Sequence, residues 1–97
     1  MKVVLSDLAQ ADFNSILEYT LVRWGERQVH KYNQLIQEGL NTIAENPKTP
    51  FCKKIIRRGK TLRYLRVEKH HIYYTIEDEF IFVNRILHGQ MNPDLHL

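Results

Sequence analysis

Arg85 and His88, three residues apart near the end of the chain, are of the types that could cleave a phosphodiester. Attack through a 2′-hydroxyl needs a base on that hydroxyl, a proton for the leaving oxygen and cations around the phosphorane. His70, His71, Tyr73 and Tyr74 could add acid and base groups, and Arg63 and Arg66 could add phosphate contacts. The spacing works against the pair. Residues three apart on an unbroken strand point to opposite faces, so only a bend near Gly89 brings Arg85 and His88 together. No matching cluster of Lys, Glu or Asp is directed at the same place, so a structural or partner-binding role outweighs a nuclease site.

The remaining reactive types give weaker signals. His30, His70, His71, His88 and His96 contain no His-x-x-x-His pair, and adjacent His70 and His71 diverge on a strand. With Cys52 as the single cysteine, neither a metal site nor a cofactor is expected. Cys52 lies in a basic loop that could lower its pKa, but nothing marks a nucleophile system around it. Trp24 closes an apolar stripe and reads as core or as a lid on a helix turn, with a partner contact as the sharper alternative. Tyr19, Tyr32, Tyr64, Tyr73 and Tyr74 read as half-buried packing residues with wet hydroxyls, and no RNP-like aromatic pattern accompanies them.

The elements that must position these residues follow from periodicity. Lys2 to Leu5 is a short β-rich run, and Ser6-Asp7 is an N-cap with an acid in the first turn. Ala9, Phe13, Ile16, Thr20 and Trp24 recur at spacings of 4, 3, 4 and 4, one stripe along a helix that Gly25 can end in a left-handed cap. Glu26 opens a second helix, with Val29, Tyr32, Ile36, Leu40 and Ile43 on one face, which Asn46-Pro47 stops. The two form an antiparallel helical hairpin. Lys48 to Lys60 is loop, with room for a brief turn or strand. Thr61 to Glu68, His70 to Glu77 and Phe80 to Leu87 are β-rich and separated by breaks short enough to require antiparallel pairing. The expected fold is α+β, in the order β-α-α-β-β-β, with the hairpin packed on a small antiparallel meander sheet.

At 97 residues and 43% hydrophobic, the chain is expected to form one domain over residues 1–97. No apolar run approaches the roughly 20 residues of a bilayer span, and the polar start does not read as a signal peptide, so a cytoplasmic protein with no membrane contact is expected. The net charge of +3 is unevenly spread. Residues 1–46 hold four Lys/Arg against six Asp/Glu, a net of −2, whereas residues 47–97 hold ten against five, a net of +5. Lys53, Lys54, Arg57, Arg58, Lys60, Arg63, Arg66 and Lys69 crowd into a stretch whose only acid is Glu68. Such a focus of positive potential suits nucleic acid or an acidic polypeptide, against the plain alternative of a solvated face.

The ending, Arg85-Ile-Leu-His88-Gly89-Gln90-Met91-Asn92-Pro93-Asp94-Leu95-His96-Leu97, is not what a buried strand or a disordered end demands. Its apolar groups, Met91, Pro93, Leu95 and Leu97, must dock somewhere, either closing the sheet edge or joining a partner surface. Together with Ala9, Asp12, Phe13, Ile16 and Tyr19, with Trp24-Gly25 and with Ala44-Glu45-Asn46-Pro47, this ending resembles the ParE branch of the RelE/ParE toxins. Gln90 and Asn92 depart from the Arg and Asp often found in the family at those positions.

The resemblance implies the toxin of a type II toxin-antitoxin pair that inhibits DNA gyrase by binding, without chemistry of its own. It implies a hetero-oligomer with an acidic, ParD-like antitoxin and an indirect contact with DNA. Arg85, His88, Met91, Pro93 and His96 are the expected target-binding residues. Lys53, Lys54, Arg57, Arg58, Arg63, Arg66 and Trp24 are those expected to meet the antitoxin. Two alternatives stay open: a ribosome-dependent mRNA endonuclease of the RelE type using Arg85, His88, Arg66 and Tyr73, and a domain that binds nucleic acid passively through Lys53 to Lys69.

Overall fold

In the computed structural model, which describes residues 1–97, the β-rich start forms β1 (Lys2–Leu5) and leads directly into α1 (Asp7–Trp24). Ser6 sets the junction: its hydroxyl accepts from the Ala9 amide at 2.9 Å and donates to the Asn84 carbonyl at 2.7 Å, capping the helix and pinning it to the far end of the chain. Gly25 ends α1 with φ 89° and ψ 178°, not the left-handed helical cap expected, but a region open essentially to glycine alone. Helix α2 (Glu26–Glu45) follows at once and stops at Asn46, before Pro47.

The second half gives β2 (Lys53–Arg57), β3 (Lys60–Val67), β4 (His70–Ile76), β5 (Phe80–His88) and a one-turn α3 (Pro93–His96). The sheet order is β1-β5-β4-β3-β2. Strands β2 to β5 pair antiparallel in sequence, and β1 lies parallel to β5 because the hairpin carries the chain back over the sheet before the meander begins. The meander and its helical cover match expectation. The region expected to be loop contains a full edge strand, β2, so the sheet has five strands rather than four.

One sheet face packs on the hairpin. Ala9, Phe13, Ile36, Leu40 and Ile43 meet Leu65, Val67, Ile72, Tyr74, Ile81, Val83 and Ile86 in a single core. Gly39 makes the close approach of α2 possible, since a Cβ there would lie 2.6 Å from Val67 Cγ2. Trp24 is not part of this core. It lies at the tip of the hairpin and is 68% exposed, because the stripe it ends runs past the sheet that covers the rest. Nor are the tyrosines uniformly half-buried: Tyr19 is exposed, while Tyr73 and Tyr74 are buried, the Tyr74 hydroxyl donating to the Pro47 carbonyl at 2.6 Å.

A β-bulge in β5 restores the pattern of the last strand. The register slips between Tyr73 and Tyr74, leaving Asn84 unpaired, so Val83 and Ile86 both reach the core although they are three apart. The opposite, open sheet face holds a small second cluster of Leu62, Tyr73 and Leu87. Leu97 packs on it. The tail therefore folds back over the open face rather than closing a sheet edge.

Candidate functional site

The fate of Arg85 decides what the open face can do. Strand β1 pairs β5 only from Phe80 to Val83, so the edge of β5 beyond Val83 has no strand beside it. Asp12, on α1, takes that place. Its Oδ2 accepts from the Ile86 amide at 3.0 Å and from Arg85 Nε at 2.8 Å, while its Oδ1 accepts from Arg85 Nη2 at 2.8 Å. This is a two-pronged guanidinium–carboxylate pair whose side chains are only 17% and 15% exposed. Arg85 Nη1 donates in turn to the His96 carbonyl at 3.1 Å, tying the tail to the same post. Donation to the Asp12 carboxylate is the main cause that raises the Arg85 pKa further. With its donors engaged on both sides, Arg85 is a strut and not a free cation.

His88 lies on the other face. It opposes His70 across the β4–β5 ladder, their rings edge-on at 5.4 Å, and it lines a small cleft with Asp12, Ser15, Ile16 and Met91. The Tyr32 hydroxyl and His70 Nδ1 are hydrogen-bonded beside them. Burial, then the neighbouring His88 and His71, push the His70 pKa down to about 4. Gly89 does not bring His88 round to Arg85. The turn there is fastened the other way, with the Gly89 amide on the Lys69 carbonyl at 2.8 Å and the Gln90 amide on His88 Nδ1 at 3.1 Å.

Arg66, His71, Tyr64 and Tyr73 do gather on the open face. The His71 ring stacks on Tyr64 with centroids 4.6 Å apart, and Tyr64 lies 5.2 Å from Tyr73. Burial first, then Arg66 and Lys53, lowers the His71 pKa. Burial raises that of Tyr73. A neutral imidazole, a protonated phenol and the cations of Arg66 and Lys53 share this surface, and the one carboxylate of the tail that crosses it, Asp94, is ion-paired to Arg57. Of the four residues proposed for phosphodiester cleavage, Arg66 and Tyr73 share this face, Arg85 is bound to Asp12 and His88 is behind the sheet. No three His, Cys, Asp or Glu side chains converge as metal ligands.

The residues expected to meet an antitoxin do not form one footprint. Register places Lys53 and Arg57 on the open face, with Tyr64, and Lys54 and Arg63 on the reverse. Arg58 turns the β2–β3 hairpin at φ 51°, next to Gly59. Arg57 is ion-paired to Asp94 of the tail, and Arg63 Nη1 lies 3.7 Å from Cys52 Sγ. Trp24 stands apart at the hairpin tip with exposed Tyr19, Leu21 and Val22. Among the residues expected to touch a target, Met91 lines the His88 cleft, Pro93 begins α3, and His96 uses its carbonyl on Arg85.

Asp12 stood in the sequence only among the residues that carry the resemblance, because its partner lies 73 residues away and no local pattern announces the pair. The Tyr64–His71 stack depends on register between strands and is likewise silent in sequence.

A helical hairpin over one face of a five-stranded sheet, with the last strand braced by Asp12 and the tail across the open face, defines a small two-layer α+β fold. A structure described as the chromosomal ParDE TA system from P. aeruginosa shares this fold, with a TM-score of 0.70 over 91% of this chain and 95% of that one at 18% identity. The family described as "ParE toxin of type II toxin-antitoxin system, parDE" matches residues 3–93. Toxin ParE1 of Mycobacterium tuberculosis is 33% identical over 97 residues, covering 99% of this chain and 97% of the relative. Toxin ParE1 of Caulobacter vibrioides is 31% identical, covering 96% and 94%. The chain belongs to the ParE toxin family of type II toxin-antitoxin systems.

Proposed function

We propose that this ParE-family toxin arrests growth by binding DNA gyrase in the cytoplasm, without catalysis of its own, and that an acidic ParD-like antitoxin neutralises it. The observation that carries the non-catalytic reading is the Asp12–Arg85 pair, which withdraws from solvent the cation that a phosphoryl-transfer site at the end of β5 requires. His88, the only histidine near it in sequence, stands on the reverse face. Neutralisation is supported by two surfaces of different character: the basic β2–β3 hairpin, and the apolar tip of the helical hairpin around Trp24. A disordered acidic segment that folds over both gains charge complementarity and apolar burial together.

Supercoiling assays with purified gyrase test the target. Inhibited supercoiling and accumulated cleaved DNA are expected. Unaffected gyrase together with ribosome-dependent cleavage of mRNA would establish the RelE-type reading, which draws its support from Arg66, His71 and Tyr73 sharing the open face. The antitoxin encounter is expected to slow as salt rises, because steering between exposed charges is screened beyond about 8 Å at physiological ionic strength.

A further inference from the structure

On the open sheet face, cations alternate with flat rings. Register puts Lys53 beside Tyr64 and Tyr64 beside Tyr73 in one row across β2, β3 and β4, and Arg66 beside His71 in the next row. Arg57 and Lys60 are partners on the same face, at the turn of the β2–β3 hairpin. Lys53, Lys60, Arg57 and Arg66 thus flank the Tyr64–His71 stack, whose ring planes lie 22° apart. Arg66 donates its Nε to the Glu68 carbonyl at 2.8 Å and is otherwise exposed, as are Lys53 and Lys60. Burial first, then Arg66 and Lys53, holds the His71 pKa down, so the stack is an uncharged aromatic surface within a positive field.

Unpaired nucleobases need this combination, since their faces stack on aromatic rings while cations hold the phosphates between them. An acidic peptide would use the cations and leave the rings idle. In a duplex the base faces are already covered by one another. The chain itself shows how an anion sits here: its tail crosses the face with Leu97 on the Leu62–Tyr73–Leu87 cluster, and the one carboxylate of that tail, Asp94, is ion-paired to Arg57. We propose that the open face binds a single strand of nucleic acid, with bases on the Tyr64–His71 stack and phosphates on Lys53, Arg57, Lys60 and Arg66, and that the tail competes for it by holding Asp94 where a phosphate would lie. The Arg57 and Asp94 side chains are 33% and 63% exposed, so water screens their pair and a strand can displace it. The antitoxin is proposed to cover the same β2–β3 hairpin, which makes this a site of the free toxin. It does not depend on which target the toxin strikes.

The test is fluorescence anisotropy of the purified chain with end-labelled oligonucleotides of about ten nucleotides, as single-stranded DNA, single-stranded RNA and duplex DNA. At least one single strand should bind about tenfold more tightly than the duplex, and the tighter of the two identifies the natural source. Tyr64→Leu should weaken that strand about tenfold, the loss of one stacked base, without changing the salt dependence. Lys53→Gln should instead flatten the slope of log affinity against log salt by about 0.7, the loss of one phosphate contact. Asp94→Asn should act in the opposite direction, tightening binding about two- to fivefold by freeing Arg57, a gain that unfolding cannot imitate. A duplex bound as tightly as the single strands, or a Tyr64→Leu chain that keeps both its helical spectrum and its affinity, overturns the stacking site. Unchanged or weaker binding by Asp94→Asn overturns competition by the tail. If neither the intact chain nor Asp94→Asn binds any strand at physiological salt, the whole inference falls.

Discussion

Replacing Asp12 by alanine should destabilise this protein more than any other single change on the outer side of α1. The substitution removes three hydrogen bonds from a carboxylate only 15% exposed, leaves the Ile86 amide without its acceptor and strands the Arg85 guanidinium at a site 17% exposed. Breaking a fully buried pair costs about 3–5 kcal/mol, and water reaching the edge of this one lowers the expectation to about 2–3 kcal/mol. For a domain of this size that is a fall in Tm of about 10–20 °C. Urea denaturation of Asp12→Ala, Arg85→Met and the double variant measures it directly. The double variant should be less destabilised than the sum of the singles by at least about 1 kcal/mol, since removing the cation also removes the stranded charge. Additive effects, or a loss below about 0.5 kcal/mol for Asp12→Ala, would refute the claim that Arg85 is a strut. Growth inhibition by Arg85→Met should then track its folded fraction and show no separate loss.

Deleting Met91 to Leu97 takes away the Arg57–Asp94 pair, the Arg85 bond to His96 and the apolar contact of Leu97, together about 1–2 kcal/mol; paired melts and growth assays should find toxicity reduced further than this loss explains, and full toxicity in a folded truncation would remove the tail from the target surface. His70 has a folded pKa of about 4 against 6.5 when unfolded, so the unfolded chain takes up a proton that the native state refuses. Its contribution is complete above about pH 6.5, is lost as pH falls towards 4, and should be flattened in His70→Gln when urea midpoints are compared across that range.

The helices and the meander were legible because their signals are local: a stripe with the period of a helix, a capping serine, Asn46-Pro47 as a stop, and short polar breaks between β-rich runs. Strand β2 was not, because an edge strand bare on much of both faces, Lys53-Lys54-Ile55-Ile56-Arg57, has no reason to alternate, and Ile56 is 78% exposed. The opposition of Arg85 and His88 was readable from parity alone, since the bulge at Asn84 falls before both. What parity could not reveal is where Arg85 points once it leaves the strand. That depends on Asp12, and on a tail whose docking is decided by a cluster, Leu62, Tyr73 and Leu87, drawn from three strands. Trp24 misled for the same reason: a stripe shows which face of a helix is apolar, not how far the sheet beneath it extends.

The parallel pairing of β1 with β5 joins the strand made before the helical hairpin to the strand that closes the meander. Ser6 meets Asn84 across 78 residues and Asp12 meets Arg85 across 73, so neither brace can form while the chain is still being synthesised through its middle. At about 5–20 residues per second the helical hairpin emerges seconds before the strand that it must cover. Long-range closure of this kind is slow even for a finished chain. A copy of the chain cut short before Asn84 and Arg85 therefore lacks both braces and leaves its sheet unfinished, however complete its helical hairpin.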